Sequence, residues 1–181
     1  MDVVAALDKS FDHAQGVVEA VRPDQYADPT PCAEWTVQDL LAHMVGVVAG
    51  LGAAAAGQAP AAEFKLSEDP ASQFREASAA ALAAWRAPGV LDRVIDAGPG
   101  PMPGRVLAGI NLLDTTTHTW DLARATGQPA SLPDDVAEAA WEASVTIVSP
   151  EVRAGRFGPE VPASADAGAT ERLVAFLGRT P

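Results

Sequence analysis

Apolar side chains recur at Val4, Leu7, Phe11, Ala14, Val18 and Val21, spacings of three and four that predict an amphipathic helix over residues 3–21. At about 100° per residue, His13 lies roughly 200° around from Phe11 and is expected to face solvent. The stretch "RPDQYADPTPCAEW" then breaks helicity with its prolines. A second helix starts behind a marked signal: Thr36 as N-cap, Asp39 three residues on as a capping-box carboxylate, and Trp35 placed to staple onto Leu40. Its apolar run predicts a helix to about Gly57.

"APAAEFKLSEDP" reads as a loop, and a third helix over 71–85 is expected to bury Phe74, Ala81, Leu82 and Trp85. In "VLDRVIDAGPGPMPG" alternating Val, Ile and Leu suggest a short strand before a Gly/Pro loop. A fourth helix runs from near Arg105 to Gly127, with Pro129 beyond the stop. A fifth begins at Pro133 and carries Val136, Ala140, Trp141, Val145 and Val148. Residues 149–168 look irregular, and "TERLVAFLG" forms a short terminal helix. No repeat or dividing linker interrupts the pattern. The expected fold is mostly all-α, one domain over 1–181: a four-helix bundle with extra short helices and one short strand or hairpin.

Composition changes this picture little. The chain has 181 residues, 48% hydrophobic and 20% charged, which suits one globular domain. Acidic residues outnumber basic ones 24 to 12, a net charge of -12 with no Lys/Arg cluster, so nucleic acid is excluded as an expected partner. A single cysteine, Cys32, rules out an internal disulfide and fits a reducing compartment. "MDVVAALDKSFD" lacks the basic start and apolar run of a signal peptide. The most apolar stretch, "LLAHMVGVVAGLGAAAAG", is Gly/Ala-rich and polar at its beginning, so no membrane span is expected. Cytoplasmic residence is the expectation.

The chemistry concentrates on two helices. His43 stands with Leu40 and Val47 on the apolar stripe of the second. On the fourth, Ile110, Asp114, His118 and Asp121 share one face. An unpaired carboxylate turned into a bundle costs several kcal/mol, so Asp114 requires a cation, a proton or strong donors. A divalent ion held by His43, Asp114 and His118 would satisfy all three, and three N/O ligands with an open fourth place is the pattern of catalytic zinc. The competing readings are a hydrogen-bonded core histidine and a surface i,i+4 contact.

Two stretches, "TPCAEWTVQDLLAHMVG" and "THTWDLARATGQP", together resemble the mycothiol-dependent maleylpyruvate isomerase N-terminal domain family, a DinB-like metal-binding four-helix bundle. The tail "FGPEVPASADAGATERLVAFLGRTP" resembles its single-domain branch. The resemblance implies a metal, zinc first and nickel second, bound by His43, Asp114 and His118, with a mycothiol-type thiol as cosubstrate. It implies a small-molecule thiol and an electrophile as partners, and thiol S-transfer or isomerisation as reaction class. In the isomerase the carboxylate is a glutamate, one methylene longer than Asp114. The isomerase also carries a further C-terminal domain, so the expected electrophile is not maleylpyruvate itself.

Two other classes stay open: a non-catalytic metal-binding bundle with a structural or regulatory role, and a hydrolase in which the metal activates water against an amide. Their discriminating feature is the fourth coordination place, open for catalysis or filled by a protein ligand such as Cys32. Asp121 is placed either to fix the His118 tautomer or to pair with Arg124. Trp120 is read as core packing or a substrate platform, and Cys32 as a ligand, a nucleophile or a small buried apolar residue. Arg124 either greets an anionic thiol cofactor or complements the helix end. A homodimer is compatible with the sequence.

Overall fold

A computed structural model describes residues 1–59, 64–98 and 100–181. Helix α1, Val3–Glu19, starts where the Asp2 carboxylate accepts from Val4 and Ala5 amides. It ends two residues short of the periodic pattern, because Arg22 precedes Pro23 and is held in extended backbone. A 3-10 turn at Pro23–Gln25 and a folded loop lead to α2, Val37–Ala55. There the expected capping box is present: the Asp39 amide donates to Thr36 Oγ1 at 3.3 Å, and the Thr36 amide donates to Asp39 Oδ2 at 3.0 Å.

The loop expected over 59–70 lies partly outside the described residues. Helix α3, Pro70–Trp85, is capped by Asp69, whose carboxylate accepts from the Ser72 amide at 3.0 Å. Strand β1, Val94–Asp96, pairs antiparallel with β2, Pro101–Pro103. The first strand matches the expectation, whereas the second falls in the Gly/Pro segment read as loop, part of which, at position 99, lies outside the described residues. Prolines at both ends of β2 suit an edge strand with one partner. Helix α4, Gly104–Thr126, stops at Gly127, which takes the left-handed conformation at φ 71°. Helix α5, Asp134–Ile147, follows, and α6, Pro150–Arg153, lies within the passage expected to be irregular, made by Ser149 capping the Val152 amide. Helix α7, Ala169–Phe176, comes near the end of the chain.

The first four helices close a ring in which α1 packs on α3 and α4, and α2 packs on the same two. Helix α5 covers α4 and α1 from outside, and α7 rests on α5. Inside, Leu7, Leu40, Leu41, Met44, Phe74 and Trp85 are buried. Phe11 meets Phe74 edge-on at 6.3 Å, joining α1 to α3. Helix α2 is long and apolar enough to cross a membrane by length and composition, yet its Leu40, Leu41, Met44 and Val48 are buried in this core.

Helix α4 is buried nearly all round. Its Leu107, Leu112 and Leu122 face the bundle, and Asn111, Thr115, Thr116, Thr117 and Asp121 are buried with them. Ser10 of α1 meets Thr116 at 3.0 Å, and the Trp85 indole donates to Asn111 Oδ1 at 3.2 Å.

Several side chains depart from the periodic reading. Val145 is 51% exposed, because it lies on the side of α5 opposite Val136, Ala140 and Ser144, which are buried where α5 packs on its neighbours. Leu82 and Trp141 are half-buried, and Trp141 packs on Phe176 at 5.2 Å. His13 is half-buried rather than solvated, since the chain after α4 returns over it. Burial lowers its pKa, partly offset by a bond to the Ser131 backbone.

Candidate metal centre

Helices α2 and α4 bring His43 and His118 together, their rings edge-on with centroids 4.7 Å apart. Between them stands Asp114. Its Oδ1 lies 3.0 Å from His43 Nε2 and 3.6 Å from His118 Nε2. The three donor atoms fall within 4.8 Å of one another, and the side chains are 28%, 19% and 14% exposed for His43, Asp114 and His118. The three side chains are therefore recessed, each keeping a minor part of its surface exposed.

The donor set fits a zinc-like ion. A tetrahedral ion with bonds of about 2.0–2.1 Å keeps its ligand atoms roughly 3.3 Å apart. The observed 3.0 and 3.6 Å separations bracket that value. Moreover, Asp114 Oδ2 is buried and meets no donor among the described residues. A carboxylate oxygen in that condition calls for a cation or a proton.

The other nitrogen of His118 faces a second set of groups. His118 Nδ1 is 3.0 Å from Asp121 Oδ2, and the Cys32 thiol donates to the same oxygen at 3.2 Å. Asp121 is fully buried, and its charge is balanced by an arginine absent from the sequence-level candidates. Arg179 Nη2 donates to Oδ2 at 2.8 Å, and Arg179 Nε donates to Oδ1 at 3.1 Å. Of the two readings of Asp121, the contact to the His118 ring is the one present, and its ion pair is to Arg179 rather than Arg124. Arg124 instead lies 5.3 Å over the Trp120 ring, and Trp120 is buried in the core.

Electrostatics follow from this arrangement. Burial on its own would lower the His118 pKa, but the Asp114 charge and the bonds to Asp121 and Cys32 outweigh it and raise it to about 10. Burial on its own would raise Asp121, and the donors His118 and Arg179 hold it down at about 2. Cys32, His118 and Asp121 also form a compact triad, but Arg179 already brings a cation to Asp121 and comes within 3.9 Å of Cys32 Sγ. A second divalent ion there would meet that charge.

A tight loop delivers Cys32 and Trp35. The Thr30 amide donates to the Trp35 carbonyl at 3.1 Å, the Thr30 hydroxyl reaches the Cys32 and Trp35 carbonyls, and the Trp35 amide donates to Cys32 O at 3.1 Å. Closing this loop puts Glu34 at φ 68°, a left-handed conformation uncommon outside glycine. Trp35 then lies 4.7 Å from the His43 ring and 5.9 Å from His118. On sequence alone Trp35 has only a helix-start role. The one local signal for more is its place directly before the cap of α2, the helix that carries His43.

The profile of the mycothiol maleylpyruvate isomerase N-terminal domain matches residues 7–123, which include His43, Asp114, His118 and Asp121. Uncharacterised proteins from two Mycobacterium tuberculosis strains, CDC 1551 / Oshkosh and H37Rv, are each 35% identical to the chain over 99% of both lengths. The crystal structure of the mycothiol-dependent maleylpyruvate isomerase superposes with a TM-score of 0.52 at 14% identity. That match covers 76% of this chain and 66% of the isomerase chain, and shows a shared fold. The chain belongs to the mycothiol maleylpyruvate isomerase N-terminal domain family.

Proposed function

We propose that this member of the family is a metal-dependent enzyme that uses a low-molecular-weight thiol of the mycothiol type, with S-transfer or isomerisation of an electrophile as its reaction class. His43, Asp114 and His118 hold a divalent ion, zinc first by their donor set and nickel second. Such an ion, when bound, supplies the Lewis acidity that deprotonates a small thiol near neutral pH. The protein's own groups bind and orient: Asp121 accepts from His118 Nδ1 and turns Nε2 toward Asp114. Trp35 covers the two imidazoles and limits water on one side.

The observation that carries this reading is the buried Asp114 Oδ2, without a partner among the described residues, beside three converging donors. A second geometric fact favours an open ion over a structural one. Cys32 addresses Nδ1 of His118, the nitrogen turned away from Asp114, so it does not join the His43–Asp114–His118 donor set. The cytoplasm, where Cys32 stays reduced, is the compartment this chemistry suits.

The test is metal analysis of the purified protein, reloading with zinc or nickel at neutral pH, and then consumption of mycothiol with a chromogenic aryl halide. Metal-dependent thiol consumption is expected. Protein that holds no metal after reloading sinks the metal reading. Bound metal without thiol chemistry, for any electrophile tried, moves the family member to the structural or regulatory class.

A further inference from the structure

Asp121 sits beneath His118 with no exposure, and among the described residues the guanidinium that reaches it comes from the far end of the fold. Helix α7 closes with Gly178 at φ 84°. The Gly178 amide donates to Ala175 O at 3.0 Å and the Arg179 amide to Val174 O at 2.9 Å, a left-handed glycine cap. Gly178 also passes so close to Gly158 that an added Cβ would stand 2.6 Å from Gly158 Cα. Both features demand glycine, and together they set the direction of the next side chain. Arg153 braces the same turn by donating to Gly158 O at 2.9 Å and Phe176 O at 2.8 Å. Arg179 leaves this turn 13% exposed, donates Nη1 to Leu177 O at 3.0 Å, and engages both oxygens of Asp121.

We propose that Arg179 is a positioning residue for the candidate metal ligand His118, acting through Asp121, so that the turn after α7 contributes to the site although it lies outside the matched region. This rests on the metal reading above. Asp121 has two oxygens and three donors to serve: His118 Nδ1, the Cys32 thiol and the guanidinium. The two-pronged grip fixes the carboxylate plane, because Nε holds Oδ1 while Nη2 holds Oδ2. With that plane fixed, Oδ2 stays on His118 Nδ1, and the ring cannot swing Nε2 away from Asp114. Without the guanidinium, nothing on that side holds the buried carboxylate in plane, and His118 would lose its fixed acceptor.

The experiment compares wild type, Arg179→Gln, Arg179→Lys, Asp121→Asn and the Asp121→Asn/Arg179→Gln double variant. Zinc affinity is read by competition with a chromogenic chelator, and the downfield Nδ1–H proton of His118 is read by NMR in metal-free protein. Arg179→Gln is expected to weaken zinc about tenfold, at the low end of what outer groups contribute, and to broaden or lose the Nδ1–H signal. Arg179→Lys should recover part of both, since one ammonium cannot grip two oxygens in a fixed plane. The double variant should bind zinc no more weakly than Asp121→Asn alone. Wild-type zinc affinity and an intact Nδ1–H signal in Arg179→Gln, even with a lowered melting temperature, would overturn the proposal and leave Arg179 a plain structural brace. Should wild type itself hold no zinc, the metal reading fails, and the Nδ1–H signal in the Arg179 variants alone decides the positioning role.

Discussion

His43 Nε2 lies 3.0 Å from Asp114 Oδ1 across the seam between α2 and α4, while the other oxygen of that carboxylate is buried without a donor among the described residues. One contact therefore accounts for half of the carboxylate and leaves the other half for the ion proposed above. Replacing His43, Asp114 or His118 with Ala should remove most bound zinc, measured by metal analysis after gel filtration. His13→Ala is the control and should leave zinc content unchanged, since His13 pairs with the Ser131 backbone, apart from the site. Asp114→Glu should keep the metal. If all three Ala variants retain a full equivalent of zinc, the ion sits elsewhere.

The pH dependence of the metal-free protein has a definite sign. His118 is raised from 6.5 to about 10 in the folded state. Its contribution to stability is complete below the unfolded value of 6.5, and is lost as pH rises through about 10. The urea midpoint in the presence of a chelator should fall over that window, and His118→Gln should flatten the fall. Zinc binding at about pH 7–8 must displace the His118 proton, so calorimetry in buffers of different ionisation enthalpy should show about one proton released per ion. A midpoint that falls equally in His118→Gln would assign the effect to other groups.

Two glycines of α2 should respond in opposite directions. An added Cβ at Gly52 would stand 2.7 Å from Ala81 Cα, where α2 and α3 touch backbone to backbone. Gly52→Ala should cost about 1–3 kcal/mol, read as a lowered urea midpoint. At Gly50 an added Cβ meets nothing within 4 Å, and Gly50→Ala should stabilise by roughly 0.5–1 kcal/mol through helix propensity. A neutral Gly52→Ala would mean that the helices separate freely at that crossing.

Thr36→Ala removes the cap that starts α2 directly after Trp35. It should cost about 1 kcal/mol while zinc affinity stays near wild type, because His43 lies about two turns inside the helix. A large loss of zinc would show that the cap, and not the bundle interior, holds His43 in place.

The helices are readable because each pairs a period of three or four with punctuation: Thr36 and Asp39 before α2, Gly127 after α4. The second strand is not, since Pro101–Pro103 carries loop residues and becomes a strand only by pairing with Val94–Asp96. Exposure of Val145 is hidden for a similar reason, as periodicity gives a face and cannot say whether a neighbour covers it. The convergence of His43, Asp114 and His118 is legible from spacing on two helices plus family resemblance. Arg179 is not. It lies 58 residues from Asp121, and its only local trace is the glycine that ends α7 just before it.

Helix α4 has almost no side left for change, since most of its residues are buried against other elements. A substitution on it to suit a new substrate would disturb the packing of α1, α2 or α5 in the same step. Diversification of such a scaffold therefore has one open inlet, the turn carrying Cys32 and Trp35, because Arg179 is tied to Asp121 on α4 itself. Relatives with different substrates should differ first in that turn, with α4 and its arginine partner carried along as a fixed cartridge.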